Sequence, residues 1–270
     1  MKHRPRKAKS GPSRAPFAPE PPPRAAVEAT HGLRAGLAVF DRRRDDIVRV
    51  AYSRAVGQEV AELVRWCTSR RLPCAEVSDA ELERVAESSH NEGLCVVARP
   101  RKWLSTKELW DGLSSGQGVA IALDRVRNPY NVGAILRSAA FLGFDAALLG
   151  APAPHPGLSP AAIRVAEGGA EHLRLARTTD LGDTLGRLRA GGAHVVGADG
   201  LAKTSAVGFA FGRPAVLVLG HEREGLGDRV RAQCDAVVSV PGAGRIESLN
   251  VAVAAGILMA EMKRGSWGIR

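Results

Sequence analysis

Cysteine is scarce and scattered in this 270-residue chain. Cys67, Cys74, Cys95 and Cys234 form no C-x-x-C pair, which argues against a zinc site, and their placement suggests no disulfide framework. Reduced thiols in the cytoplasm fit better. Long apolar runs are missing too. None reaches the length that spans a bilayer, and no apolar segment follows the basic first thirty residues as it would in a signal peptide. The protein is expected to be soluble and cytoplasmic, with no membrane and no metal among its partners.

The fingerprints of common nucleotide enzymes are also absent. The turn after the first strand of the second half reads "DRVRNPYNVGA", without G-x-G-x-x-G, and "DAALLGAPAP" closes with no acidic residue to hold a ribose. No G-K-[ST] occurs, and "HEREG" at 221–225 lacks the second histidine of a zinc protease helix. Phosphoryl and hydride chemistry are both demoted, and a nicotinamide oxidoreductase fails on its missing fingerprint.

What the chain does have is positive charge and α/β alternation. Its formal charge is +10, unevenly placed. Residues 1–30 carry seven Lys/Arg against two Glu, residues 31–100 balance at eleven against eleven, and residues 101–270 carry twenty against fifteen. Basic arms of this kind meet polyanions such as nucleic acid by counterion release. The Pro-rich segment 1–30 has too few large apolar side chains to order itself and is expected to be disordered.

Residues 31–99 read as a small α/β module. "LRAGLAVFDR" and "QEVAELVRWCTSR" are helical, "DIVRVAYS", "PCAEVS" and "GLCVVARP" are strands, and "DAELERVAES" is a helix with Asp79 as its N-cap. Residues 100–117 read as a linker with one short helical stretch, in which Trp103 and Trp110 are packing residues rather than base-stacking platforms. From residue 118, the strands "VAIALD", "DAALLG", "AHVVGAD", "PAVLVLG" and "AVVSVP" alternate with four helical segments. That pattern predicts an α/β fold: a mostly parallel sheet with helices on both faces.

Three segments stand at the carboxyl ends of strands, where open α/β sheets bind ligands. In "RNPYNVGAILRSAAFLG" (127–143), Asn128 and Asn131 can bind a polar ligand or cap the helix, and Arg137 is expected at the edge of its apolar face. In "LVLGHEREGLG" (217–227), glycines allow close backbone approach, and Glu222 is either a surface carboxylate or a group that orients a ligand. In "VSVPGAGRIESLNVAVAAGILMAE" (238–261), Ser248 reads as the helix cap. That leaves Asn250 in the first turn without a capping explanation.

Together these segments resemble the three signature motifs of the SpoU family of RNA ribose 2′-O-methyltransferases, within the SPOUT class. Asn128, Pro129, Asn131, Gly133 and Arg137 match the first, and Leu219, Gly220, Glu222 and Gly225 match the second. Pro241, Gly244, Ser248, Leu249, Asn250 and Val251 match the third. The likeness spans roughly residues 118–265. Residues 31–99, ending in "SSHNEGLCVVARP", are more loosely similar to the ribosomal-protein-like (L30e-like) RNA-binding domain that precedes some family catalytic domains. The resemblance implies a C-terminal trefoil knot, a homodimer, structured RNA (rRNA or tRNA) as substrate, and S-adenosylmethionine as methyl donor. It implies cofactor contacts at Gly220, Val240 and Leu249, and a reaction centre of Arg137 with Asn131, Glu222, Ser248 and Asn250. A non-catalytic RNA-binding or ribosome-assembly protein on the same fold is the alternative.

Overall fold

The computed structural model describes residues 27–115, 118–150, 158–246 and 248–264. The first twenty-six residues of the basic tail, and the Gly-Gln end of the expected linker, lie outside the described residues.

The first unit contains β1 (Glu28–His31), α1 (Leu33–Arg43), β2 (Ile47–Tyr52), α2 (Ala61–Ser69), β3 (Cys74–Glu76), α3 (Asp79–Ala86) and β4 (Leu94–Ala98). Its sheet has the order β1-β4-β2-β3, with β4 antiparallel to both neighbours and β3 parallel to β2. Two expectations are corrected here. Glu28–Thr30 fall in the stretch expected to be disordered, yet they pair with Val96–Ala98, so partners on β4 supply the order that local composition lacks. The N-cap of α3 is Ser78, not Asp79, because the Ser78 hydroxyl accepts the amide of Glu81 and places Asp79 one step inside the helix.

The second unit begins with α4 (Thr106–Ser114), inside the segment read as a linker. This helix is integral to the fold: Leu109 and Leu113 are fully buried in the second unit's core. A capping box between Ser105 and Glu108 starts it. Trp103 stacks on the Arg177 guanidinium and packs against the core, as Trp110 does, in line with a packing role.

Then follow β5 (Val119–Asp124), α5 (Pro129–Phe141), β6 (Ala146–Gly150), α6 (Pro160–Val165), α7 (Gly169–His172), β7 (Arg174–Thr178), α8 (Leu181–Ala190), β8 (His194–Ala198), β9 (Thr204–Ser205), β10 (Ala215–Leu219), α9 (Asp228–Arg231), β11 (Ala236–Ser239) and α10 (Val251–Lys263). All seven strands are parallel, in the order β7-β6-β5-β10-β8-β11-β9. Alternation along each strand sends side chains to opposite faces. Val119, Ile121 and Leu123 join Ile135, Leu136, Leu258 and Met259 on one side. Ala120 and Ala122 meet Leu109, Leu113, Leu185 and Leu188 on the other. The expected layered α/β architecture is the observed one.

Several features escaped the sequence pattern, among them strands β7 and β9 and the short helix α9. Strand β7 lies at the sheet edge and buries only Leu175 and Ala176 of its five residues. The stretch "SPAAIRVAEGGA" is two short helices rather than one, broken where Glu167 (φ 43°) and Gly168 (φ 91°) turn left-handed.

A cluster of charge joins the two units. Arg101 binds Glu28 (2.9 Å) and Glu171 (3.1 Å), and Arg43 binds Glu171 (2.8 Å) and Glu28 (3.0 Å). The Arg101 and Glu171 side chains are only 6% and 4% exposed, and Arg43 and Glu28 are partly covered, so the quartet is largely buried where β1, α1 and α7 meet.

Candidate functional site

The site is built where β5, β10 and β11 end. Strand β5 finishes on Asp124, a buried carboxylate whose Oδ2 accepts the amide of Gly227 at 2.8 Å. The next residue, Arg125, hydrogen-bonds Asp124, the carbonyl of Gly225 and the Glu224 carboxylate. The Asp124 hydrogen bond is the main effect raising the Arg125 pKa, so its charge is permanent. Together these two residues pin the loop that follows β10.

That loop is a closed turn. His221 and Gly225 exchange backbone hydrogen bonds of 3.0 and 2.9 Å, and the His221 ring accepts the amides of Arg223 and Glu224. Gly225 sits at φ 63°. Any side chain on buried Gly220 would strike the Gly225 carbonyl and come within 2.6 Å of the Leu226 nitrogen. The turn therefore folds back on a position that only glycine can fill, and Glu222 projects from its mouth.

Glu222 is not an idle surface carboxylate. Its Oε1 accepts the Asn131 amide at 2.8 Å, and Asn131 Oδ1 in turn accepts the Asn250 amide at 3.1 Å. One residue from each of the three segments thus meets at Asn131. Asn128 is the N-cap of α5, with Oδ1 on the Tyr130 amide, and Pro129 stands at N1. The cap of α10 is Asn250, whose Oδ1 accepts the amides of Ala252 and Val253. This corrects the assignment of that cap to Ser248, which lies two residues before the N-cap and is exposed. The backbone reaches helical geometry only after Asn250, too late for Ser248 to reach the first free amides.

Arg137 does not join this cluster within the chain. It follows Asn131 by six residues, which places it about 9 Å along α5 and about 120° round its axis. Its Nη1 binds Glu167 at 2.7 Å, and half the side chain is exposed. Gly220 closes β10 and Val240 follows β11; these strands flank β8, so the two positions are about 10 Å apart. Leu249 lies 51% exposed on the approach to α10. Asp124, Arg125, His221 and Glu167 were missed in the sequence. The one available signal was an apolar strand ending on Asp124, the wrong residue for a bare core.

Among the described residues no group of three or more His, Cys, Asp or Glu side chains could hold a metal, and no helix is long and apolar enough to cross a membrane.

The protein is thus an open α/β fold whose parallel sheet carries glycine turns and a linked amide–carboxylate cluster at its carboxyl edge, the edge at which such sheets bind ligands. The SpoU rRNA methylase family model matches residues 118–260, and the chain belongs to that family. It is 33% identical to the uncharacterized tRNA/rRNA methyltransferase YfiF of Escherichia coli O157:H7, over 89% of this chain and 69% of that protein. Its fold is similar to that of the SpoU methyltransferase AviRb from Streptomyces viridochromogenes in complex with AdoMet. That likeness has a TM-score of 0.75 at 24% identity and covers 92% of this chain and 93% of the other. An AdoMet-bound rRNA methyltransferase from Sinorhizobium meliloti is similar at TM-score 0.74 and 24% identity, covering 89% and 88%.

Proposed function

We propose that this chain methylates a ribose 2′-hydroxyl in structured RNA, rRNA ahead of tRNA, with S-adenosylmethionine as donor. The observation that carries the reading is the Glu222–Asn131–Asn250 chain, which draws the three matching segments to one point.

The residues present fit the cofactor. Gly220 and Val240 directly follow β10 and β11, about 10 Å apart at the carboxyl edge of the sheet. The segment that leads to α10 keeps open space at Gly242 and Gly244, and Leu249 on it is exposed. When bound, the cofactor supplies an electrophilic methyl group on a cationic sulfur. The protein's part is positioning. Backbone groups near Gly220, Val240 and Leu249 hold the donor, while Asn131, Glu222, Ser248 and Asn250 orient the sugar. Holding reactants in line supplies ~7–11 kcal/mol of such a barrier. Arg137 clamps a neighbouring phosphate, because a guanidinium is a planar array of five N–H donors with no acceptor, suited to binding an anion and ill suited to taking a proton.

The first unit, with residues 31–99 as its body, acts as the RNA-binding domain. The threading of the C-terminal segment forms the trefoil knot, and the working form is a homodimer. Supporting the last point, Tyr130 and Phe141 on α5, and Val253 and Ile257 on the adjoining α10, leave apolar surface exposed.

Mapping 2′-O-methyl sites in total RNA from cells with and without the gene tests the reading. Loss of one site on deletion, restored by the purified protein and the cofactor, is expected. Unchanged maps, with no cofactor binding by isothermal titration, would favour the non-catalytic RNA-binding protein instead.

A further inference from the structure

Glu167 occupies a left-handed backbone conformation, φ 43°, and two glycines follow it. A side chain is disfavoured there relative to glycine. Burial does not compensate, since the residue is only partly covered. What the side chain does is hold two guanidiniums at once. Oε1 binds Arg137 at 2.7 Å and Oε2 binds Arg34 at 2.9 Å. Arg34 lies in the first turn of α1, in the first unit, and Arg137 lies on α5 in the second.

The two glycines fix the carboxylate between these helices. A Cβ on Gly168 would stand 2.7 Å from the Ala38 side chain of α1. A Cβ on Gly169 would stand 2.8–3.0 Å from the backbone of Leu136 and Arg137. One glycine therefore lets the first unit dock, and the next lets the turn press on α5 at Arg137 itself.

We propose that Glu167 is a positioning residue for methyl transfer: it orients Arg137 and, through Arg34, makes that orientation depend on the docked first unit. The inference rests on Arg137 acting at the reaction centre, as read above. An exposed ion pair of this kind adds little to stability. Restricting a long side chain that must meet RNA is different, because it removes disorder before the substrate arrives. Arg137 has five N–H donors, so those not held by Glu167 stay available to a phosphate. Arg34 keeps 72% of its side chain exposed while it holds Glu167.

The test is steady-state methylation of RNA by the full chain carrying Glu167→Gly, Glu167→Gln, Arg34→Ala or Arg137→Ala, with melting temperature and cofactor affinity measured on each. Glu167→Gly should lower kcat about 10- to 100-fold while leaving cofactor affinity unchanged and the melting temperature level or raised. Glu167→Gln, which keeps the shape and one acceptor, should retain more activity. Arg34→Ala should lower kcat in the same direction, and its effect should vanish in the Glu167→Gly background. A purely structural Glu167 predicts the opposite pattern, a lower melting temperature with kcat per folded molecule intact, and that result would overturn the inference. Arg137→Ala inactive beside a fully active Glu167→Gly would overturn the positioning role alone. Arg137→Ala at wild-type kcat would overturn the reading of Arg137, and this inference with it.

Discussion

Asn250 donates its side-chain amide to Oδ1 of Asn131 at 3.1 Å, across 119 residues of sequence. Both asparagines are committed at either end of that bond: Asn250 caps α10, and Asn131 gives its own amide to Glu222. The helix cap and the site are therefore one structure, and the start of α10 cannot move without moving Asn131.

Asn131→Ala should break both links at once and lower methyl transfer about 10- to 100-fold. Asn250→Ala should add little to it, since the two act through one network. A double-mutant cycle on kcat/KM measures this. Strict additivity of the two losses would mean that the bonds work separately.

Gly220→Ala should abolish cofactor binding without unfolding the protein. The added methyl meets the backbone of Gly225 and Leu226, and the only relief is to open the turn that carries Glu222. Isothermal titration with S-adenosylmethionine, beside a far-ultraviolet spectrum, checks it. Wild-type affinity in a folded variant would remove Gly220 from the cofactor site.

Much of this was legible in the sequence because it is local. The uninterrupted burial of β5 and β10 shows as runs of Val, Leu, Ile and Ala, and α5 announces itself by Asn128, Pro129 and its apolar spacing. The remainder depends on distant partners. Thr30 is ordered by β4, the Leu175–Ala176 pair sits between two arginines on an edge strand, and Ser248 and Asn250 are equally good caps until the backbone decides. The bond from Asn131 to Glu222 joins residues 91 apart, which no local pattern encodes. Glu167 carried a faint mark, a glutamate before two glycines at the end of a helical run, where a left-handed turn is common.

Arg101→Ala should destabilise the junction of the two units strongly. It strips partners from Glu28 and Glu171, and it removes a donor to the Ala170 carbonyl. Breaking a buried pair by deleting one member costs about 3–5 kcal/mol. Urea unfolding measures it. A loss below ~1 kcal/mol, the range of exposed pairs, would mean the quartet is wetter than its burial implies.

The start of α4 should be acid-sensitive. The Lys102 hydrogen bond first, then the Ser105 amide and hydroxyl, hold the Glu108 carboxyl down at about 2, against 4.5 when unperturbed. Because the folded value is the lower one, this stabilisation is complete above the unfolded pKa and is lost as pH falls from about 4.5 towards 2. The urea midpoint of wild type should exceed that of Glu108→Gln at pH 6, and the gap should shrink steadily below pH 4.5, to roughly a quarter of its size by about pH 2.5. A gap that stays constant over that range would assign the difference to shape rather than charge.

Arg137→Lys separates the two roles open to that arginine. As a phosphate clamp, the side chain needs a positive charge and several donors, and lysine supplies a point charge with three donors on a flexible stem. Substitution should then raise KM for RNA and lower kcat modestly, with the pH–rate profile unchanged between pH 6 and 9, because the positive charge is kept and only the planar fork is lost. As a base, arginine would have to surrender its proton, and a lysine with a lower intrinsic pKa would shift the alkaline limb of the profile. Near-complete recovery of turnover by lysine would exclude a special arginine base. A fall of more than about 1,000-fold in kcat, with RNA affinity intact, would instead exceed what loss of one electrostatic donor produces and would return the base role to Arg137.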